Sequence, residues 1–148
     1  MNLLGRFLRF GLVGGSGVLV DMGVLYLLHD PKRFALPLLV SKLLSMQVAI
    51  LNNFAWNELW TFGDRSAQRS TGRDRLLRLL RFELICLAGG ALAAFVLAQG
   101  VSRFGLHYMV ANAIAIGVST AWNFGVNLRW NWATRPPGGL NEPRKAHP

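Results

Sequence analysis

Asn53-Phe54-Ala55-Trp56-Asn57-Glu58-Leu59-Trp60-Thr61-Phe62 closes the first half of the chain, and Asn123-Phe124-Gly125-Val126-Asn127-Leu128-Arg129-Trp130-Asn131-Trp132 closes the second. Asn, Asn and Trp recur in both at the same spacing, with a shift of 70 residues. The halves also open alike: Arg9-Phe10 and Arg81-Phe82, 72 residues apart, each lead into an apolar run containing glycines. A repeated apolar hairpin is a way of building transporters and lipid-handling modules, and soluble enzymes seldom carry one.

Working outward from these endings, four apolar stretches are long enough for a hydrocarbon core of ~30 Å, which takes about 20 helical residues. They cover roughly residues 10–28, 36–56, 82–101 and 108–128. The expected fold is therefore an all-α membrane protein of four transmembrane helices, arranged as two parallel-repeated hairpins. Residues 1–9 read as an interfacial lead-in, 10–132 as the membrane domain with a basic loop at 63–81, and 133–148 as a polar, disordered tail. The first run carries Asp21 near its middle and no small-residue cleavage site after it, so it reads as a retained helix, not a signal peptide.

The formal charge of +9 and the pI of about 11.3 would suggest nucleic acid in a soluble protein. Here the charge reads as topology. Arg6, Arg9, Arg65, Arg69, Arg73, Arg75, Arg78, Arg81, Arg129, Arg135, Arg144 and Lys145 fall on one side of the four spans, and only Lys32, Arg33 and Arg103 on the other. The positive-inside rule then predicts that both termini and the long loop are cytosolic, in the cytoplasmic membrane. Arg73, Arg75 and Arg78 are expected at the membrane surface or a partner, on a basic amphipathic segment or on an extension of the third span. The single cysteine, Cys86, reads as a small buried hydrophobe.

Inside the membrane the informative residues are polar. Lys42, Met46, Ala49, Asn53 and Asn57 lie on one helix face by their spacing, and the fourth span repeats the phase with Asn112, Ile116, Ser119, Asn123 and Asn127. Polar side chains at membrane depth face the bundle or a hydrated cavity. Gly11 and Gly15, and Gly89, Gly90, Ala93 and Ala94, permit close helix approach, leaving a homodimer open as a use for those faces. Asp21 stands about 18 Å above Arg9 and Lys42 about 9 Å below the outer end of its span, so both reach the midplane. They are expected to pair or to share a path with Asn112, whose half of the repeat has no charge there. Glu58 and Glu83 are expected to form an inner charge cluster with Arg9, Arg81 or Arg129. Trp56, Trp60, Trp122, Trp130 and Trp132 all fall toward the inner ends of spans two and four, as in an interfacial aromatic belt.

These residues resemble the GtrA-like family. Arg9-Phe10-Gly11-Leu12-Val13-Gly14 is similar to its opening, and the two Asn-x-x-x-Asn-x-x-Trp-x-aromatic endings to its closing motifs, over about residues 7–132. One departure is that Glu58 and Leu128 follow the second Asn where the family often has Arg or Lys; Arg129 comes one place later. The resemblance implies a four-span protein of cell-surface polysaccharide assembly that moves polyprenyl-phosphate-linked sugars across the membrane, or supports the glycosyltransferase that makes them. Under that reading Arg9, Arg81 and Arg129 would meet phosphate. Asn53, Asn57, Asn123 and Asn127 would meet sugar hydroxyls, which need donors and acceptors together. A third reading is a small proton-coupled exporter. Catalysis is not expected: no metal-ligand cluster, nucleotide-binding glycine loop or nucleophile–base arrangement stands out, and nothing calls for a cofactor.

Overall fold

The computed structural model describes residues 2–67 and 71–133. Helix α1 spans Leu3–His29 and α2 spans Leu38–Trp56; α3 is a single turn, Gly63–Ser66; α4 spans Gly72–Ser102 and α5 Tyr108–Val126. α2 and α5 each run on into a π-helical turn, Asn57–Thr61 and Asn127–Asn131. With those turns included, four helices are long and apolar enough to cross a membrane. Most of their large apolar side chains face outward, as a lipid environment requires. The expected lead-in is absorbed into α1, which begins at Leu3 with Asn2 accepting from the Gly5 amide as its N-cap. The second half of the basic loop likewise belongs to α4, capped by Thr71. The expected tail lies outside the described residues except for Ala133.

α1 packs on α2 and α4 on α5, forming two hairpins that make matching contacts. Leu36 N–H bonds to Leu28 O in one turn, and Leu106 N–H to Gly100 O in the other. The residues before them, Ala35 (φ 51°) and Gly105 (φ 61°), both take the left-handed conformation, which costs a side chain and favours glycine. Along the seam, Ser41 and Ser45 of the first hairpin and Ala111 and Ala115 of the second are buried at positions 70 apart.

The hairpins join chiefly at the end that carries the 63–71 connection, here called the basic end. The π turns build that junction. Phe62 N–H reaches back to Asn57 O, and Trp132 N–H to Asn127 O, both at 2.8 Å. These wider turns break the α-helical phase and bring Phe62 and Trp132 into the interior. Their rings stack at 4.4 Å with an interplanar angle of 9°. Phe10 packs edge-on to Phe62 and Phe82 edge-on to Trp132, and Phe124 stacks on the far side of the cluster, 6.3 Å from Phe62. Trp132 is thus 2% exposed and no part of an interfacial belt. The other four tryptophans are roughly half exposed, at 42–52%.

A buried ion pair crosses the same junction. Arg78 grips the Glu58 carboxylate with two N–H groups, Nε to Oε2 at 3.0 Å and Nη2 to Oε1, and Trp132 Nε1 donates to Oε2 at 2.9 Å. Arg75 approaches the same carboxylate at 3.8 Å. This corrects two expectations. Arg78 is 2% exposed and not a surface contact, whereas Arg73 and Arg75 are exposed. Glu58 and Glu83 do not form one cluster: Glu83 accepts from Gln47 on the α2–α4 seam, and Arg9, Arg81 and Arg129 pair with neither. Arg65 completes the junction by donating to Leu128 O and Trp132 O, at 3.2 and 3.0 Å. Arg6 holds Asp64 in a bidentate pair.

Removing one partner of a buried ion pair strands the other charge, at a cost of roughly 3–5 kcal/mol. Glu58→Ala is therefore expected to lower stability by about that much. Trp132→Phe keeps the stack but loses one hydrogen bond to a charged group, about 1.5–3 kcal/mol. Unfolding of the purified chain in detergent, followed by circular dichroism, measures both. The Arg6 guanidinium holds the Asp64 carboxyl below its ordinary value of 3.8. The folded-state value is depressed, so this pair's contribution is present above that pH and lost as pH falls below it. Asp64→Asn should lower stability at neutral pH by the pair's contribution and leave it nearly unchanged at acid pH, so the acid limb of the stability profile flattens.

Candidate functional site

Above the aromatic junction, between the two hairpins, lies a cavity of about 500 Å³. All four long helices line it: Gly11, Gly14 and Gly15 from α1, Ile50 and Asn53 from α2, Cys86 from α4, and Ser119, Thr120 and Asn123 from α5, with Phe10, Phe82 and Asn57 toward its floor. Small residues on α1 make the room, and amides and hydroxyls on α2 and α5 make it polar.

The amides are held in place in the same way on both sides. Asn53 lies against Gly17 and Asn123 against Gly89, so closely that a Cβ on either glycine would stand 2.3 Å from the amide oxygen. Asn57 Nδ2 donates to Asn53 O at 2.9 Å, and Asn127 Nδ2 to Asn123 O at 2.8 Å. Two amide oxygens of the lining, Asn57 Oδ1 and Asn123 Oδ1, are buried and without a partner in the protein. A buried, unpaired acceptor costs about 1–3 kcal/mol unless something donates to it. No lining residue is charged. The site thus fits a neutral group with both polar and apolar faces better than an anion or a cation.

The expected site residues divide accordingly. Asn53, Asn57 and Asn123 meet at the cavity. Asn127 does not line it: it is fully buried below, with Oδ1 taken by Asn131 Nδ2 at 3.1 Å. Arg9 and Arg81 stand outside, their guanidinium carbons 4.9 Å and 5.5 Å from the Trp60 and Trp130 ring centroids, at positions related by the same repeat shifts. Arg129 is exposed at the basic end. Asp21 and Lys42 do pair, at 2.6 Å, with Ser45 Oγ donating to the other carboxylate oxygen at 2.6 Å. The pair stitches α1 to α2 and is absent from the cavity lining, and Asn112 is exposed. The hydroxyls Ser119 and Thr120 are half-buried lining residues; the helical phase pointed to Ser119 but not to Thr120.

Gly89→Ala would drive a methyl group into Asn123. The expected cost is about 1–3 kcal/mol of overpacking, whereas Gly90→Ala meets open space and should be nearly neutral. Parallel denaturation of the two variants in detergent makes the comparison.

Similarities to known proteins agree with this architecture. The chain is 33% identical over 130 residues to a dolichol-phosphate mannosyltransferase of Pyrococcus furiosus; the match takes in 87% of this chain but 34% of that relative. The chain therefore spans about a third of that protein's length. It is 28% identical over 122 residues to an uncharacterized membrane protein, YngA, of Bacillus subtilis, covering 82% of this chain and 76% of the relative. Residues 9–132 match the GtrA/DPMS transmembrane domain, and the chain belongs to that family.

Proposed function

We propose that this protein carries a polyprenyl-phosphate-linked sugar across the membrane, with the sugar in the cavity between the hairpins. The observation that carries the reading is the cavity of about 500 Å³ in which Asn53, Asn57, Ser119, Thr120 and Asn123 come together among glycines and the apolar Phe10, Val18, Ile50, Phe82 and Ile116. Sugar hydroxyls exchange hydrogen bonds with the Ser119 and Thr120 hydroxyls and the lining amides, which supply donors and acceptors together, and the sugar's apolar faces lie against the rest of the wall. The lining offers the phosphate no cation, so the phosphate stays at the basic surface, which bears Arg9, Arg81 and Arg129. The polyprenyl chain remains in lipid. The basic end faces the cytosol by the distribution of Arg and Lys. The protein acts here as a carrier and not as a catalyst.

A proteoliposome assay with fluorescent lipid-linked sugar tests this. Wild-type protein should accelerate translocation over empty vesicles, and equal rates would end the proposal. Thr120→Val keeps the side-chain shape and removes a hydroxyl. One hydrogen bond of about 1–1.5 kcal/mol corresponds to roughly a tenfold loss of rate or affinity.

A second reading, that the domain anchors a glycosyltransferase, is favoured by the Pyrococcus furiosus relative, in which the matching part is about a third of a longer protein named as a mannosyltransferase. Its docking surface would include Arg73 and Arg75, which are exposed on the first turns of α4. Charge reversal of these two should abolish co-purification with a transferase under the anchor reading and leave sugar translocation unchanged under the carrier reading.

A further inference from the structure

A second recess lies on the flank of the first hairpin. Leu12, Val13 and Ser16 of α1 face Trp56 and Trp60 across a groove of about 350 Å³. None of these residues lines the central cavity. The walls are almost wholly apolar, because the Ser16 hydroxyl is turned onto Val13 O at 2.7 Å. Leu12 is 66% and Trp56 52% exposed, so the groove opens outward, where a spanning helix meets hydrocarbon.

One helical turn toward the basic end, Arg9 stands beside the groove, against its Trp60 wall. Its guanidinium covers the Trp60 ring, and Nη1 donates to Trp60 O at 3.3 Å. That bond engages one of the five N–H donors a guanidinium carries. The nearby carboxylates of this end are already engaged, Glu58 by Arg78 and Asp64 by Arg6. An apolar trough at membrane depth with an unneutralised cation at its interfacial end has the chemistry of an anionic lipid's binding site: chain in the trough, phosphate on the guanidinium.

We propose that this groove binds one anionic phospholipid of the surrounding bilayer, its acyl chain held between Leu12, Val13 and the two indoles and its phosphate by Arg9. The inference assigns Arg9 to a lipid of the bilayer and leaves the phosphate of any transported lipid to Arg81 and Arg129. The second hairpin supplies an internal control. Arg81 covers Trp130 as Arg9 covers Trp60, but Val126 stands where the first hairpin has Trp56, so the second indole wall is missing.

The full chain in phosphatidylcholine nanodiscs tests this, using brominated lipids that quench indole fluorescence on contact. The Trp56 signal is the difference between the wild type and Trp56→Phe. At equal mole fraction, brominated phosphatidylglycerol should quench Trp56 about fivefold more effectively than brominated phosphatidylcholine, the ratio expected of one guanidinium near a membrane surface. Arg9→Gln should bring that ratio close to one, and Arg81→Gln should leave it unchanged. Equal quenching by the two lipids overturns the proposal, as does a preference that survives Arg9→Gln. Release of the quench by an equimolar polyprenyl phosphate also overturns it, because the groove would then be the tail site of the transported lipid.

Discussion

The buried carboxylate of Glu58 is the constraint on which the rest of the structure depends. In a bilayer, apolar helices gain little from leaving lipid for one another, so packing and polar contacts must hold a bundle together. A carboxylate 5% exposed in such a place needs compensation for its charge, and it draws that from the other hairpin: two N–H groups of Arg78 and the indole of Trp132. Satisfying Glu58 fixes the plane of Trp132. That plane sets the stack on Phe62, and the stack supports Phe10 and Phe82, which lie at the floor of the cavity. Among the described hydrogen bonds, only Gln47 to Glu83 joins the hairpins away from this junction. The bundle is therefore closed at one end and held together loosely beyond it.

The two π turns make the arrangement available to the chain. A helix continued in α geometry past Asn57 and Asn127 would keep its phase, and the aromatic residue five places on would stay outside with the other tryptophans. The wider turn swings it inward. The asparagines that open these turns also bond back to the carbonyls of Asn53 and Asn123. The Asn-x-x-x-Asn motif is thus first a device for turning the helix end. Its contribution to the site is to place Asn53, Asn57 and Asn123 at the cavity wall.

This explains which parts were legible in the sequence. The four spans follow from apolar length alone. The polar face of spans two and four follows from helical spacing, and Asn53, Asn57, Ser119 and Asn123 do come together. The same phase argument fails where the helix stops being α: it put Asn127 among the sugar-facing amides, and Trp132, read as interfacial from its place at the end of the span, is likewise buried below the cavity floor. The Asp21–Lys42 pair was legible because depth can be computed from rise per residue. Its direction was not, since the pair faces along the α1–α2 seam. Glu58 and Arg78 come from different hairpins, and no periodicity connects them. The one hint was negative: Glu58 stands where related sequences often place a cation.

Glu58 has a further consequence for which surfaces can pair. Under the repeat shifts, Arg78 corresponds to Arg6, but Glu58 corresponds to Leu128, which offers no carboxylate. Two copies of the second hairpin brought face to face would bury an arginine each with nothing to neutralise it. The second hairpin finds an acid for its arginine only on the first, which carries Glu58. Discrimination of this kind, by leaving the wrong partner with an uncompensated charge, is stronger than any preference from shape alone. The two halves are therefore not interchangeable: the second hairpin depends on the first for the charge that its own repeat lacks.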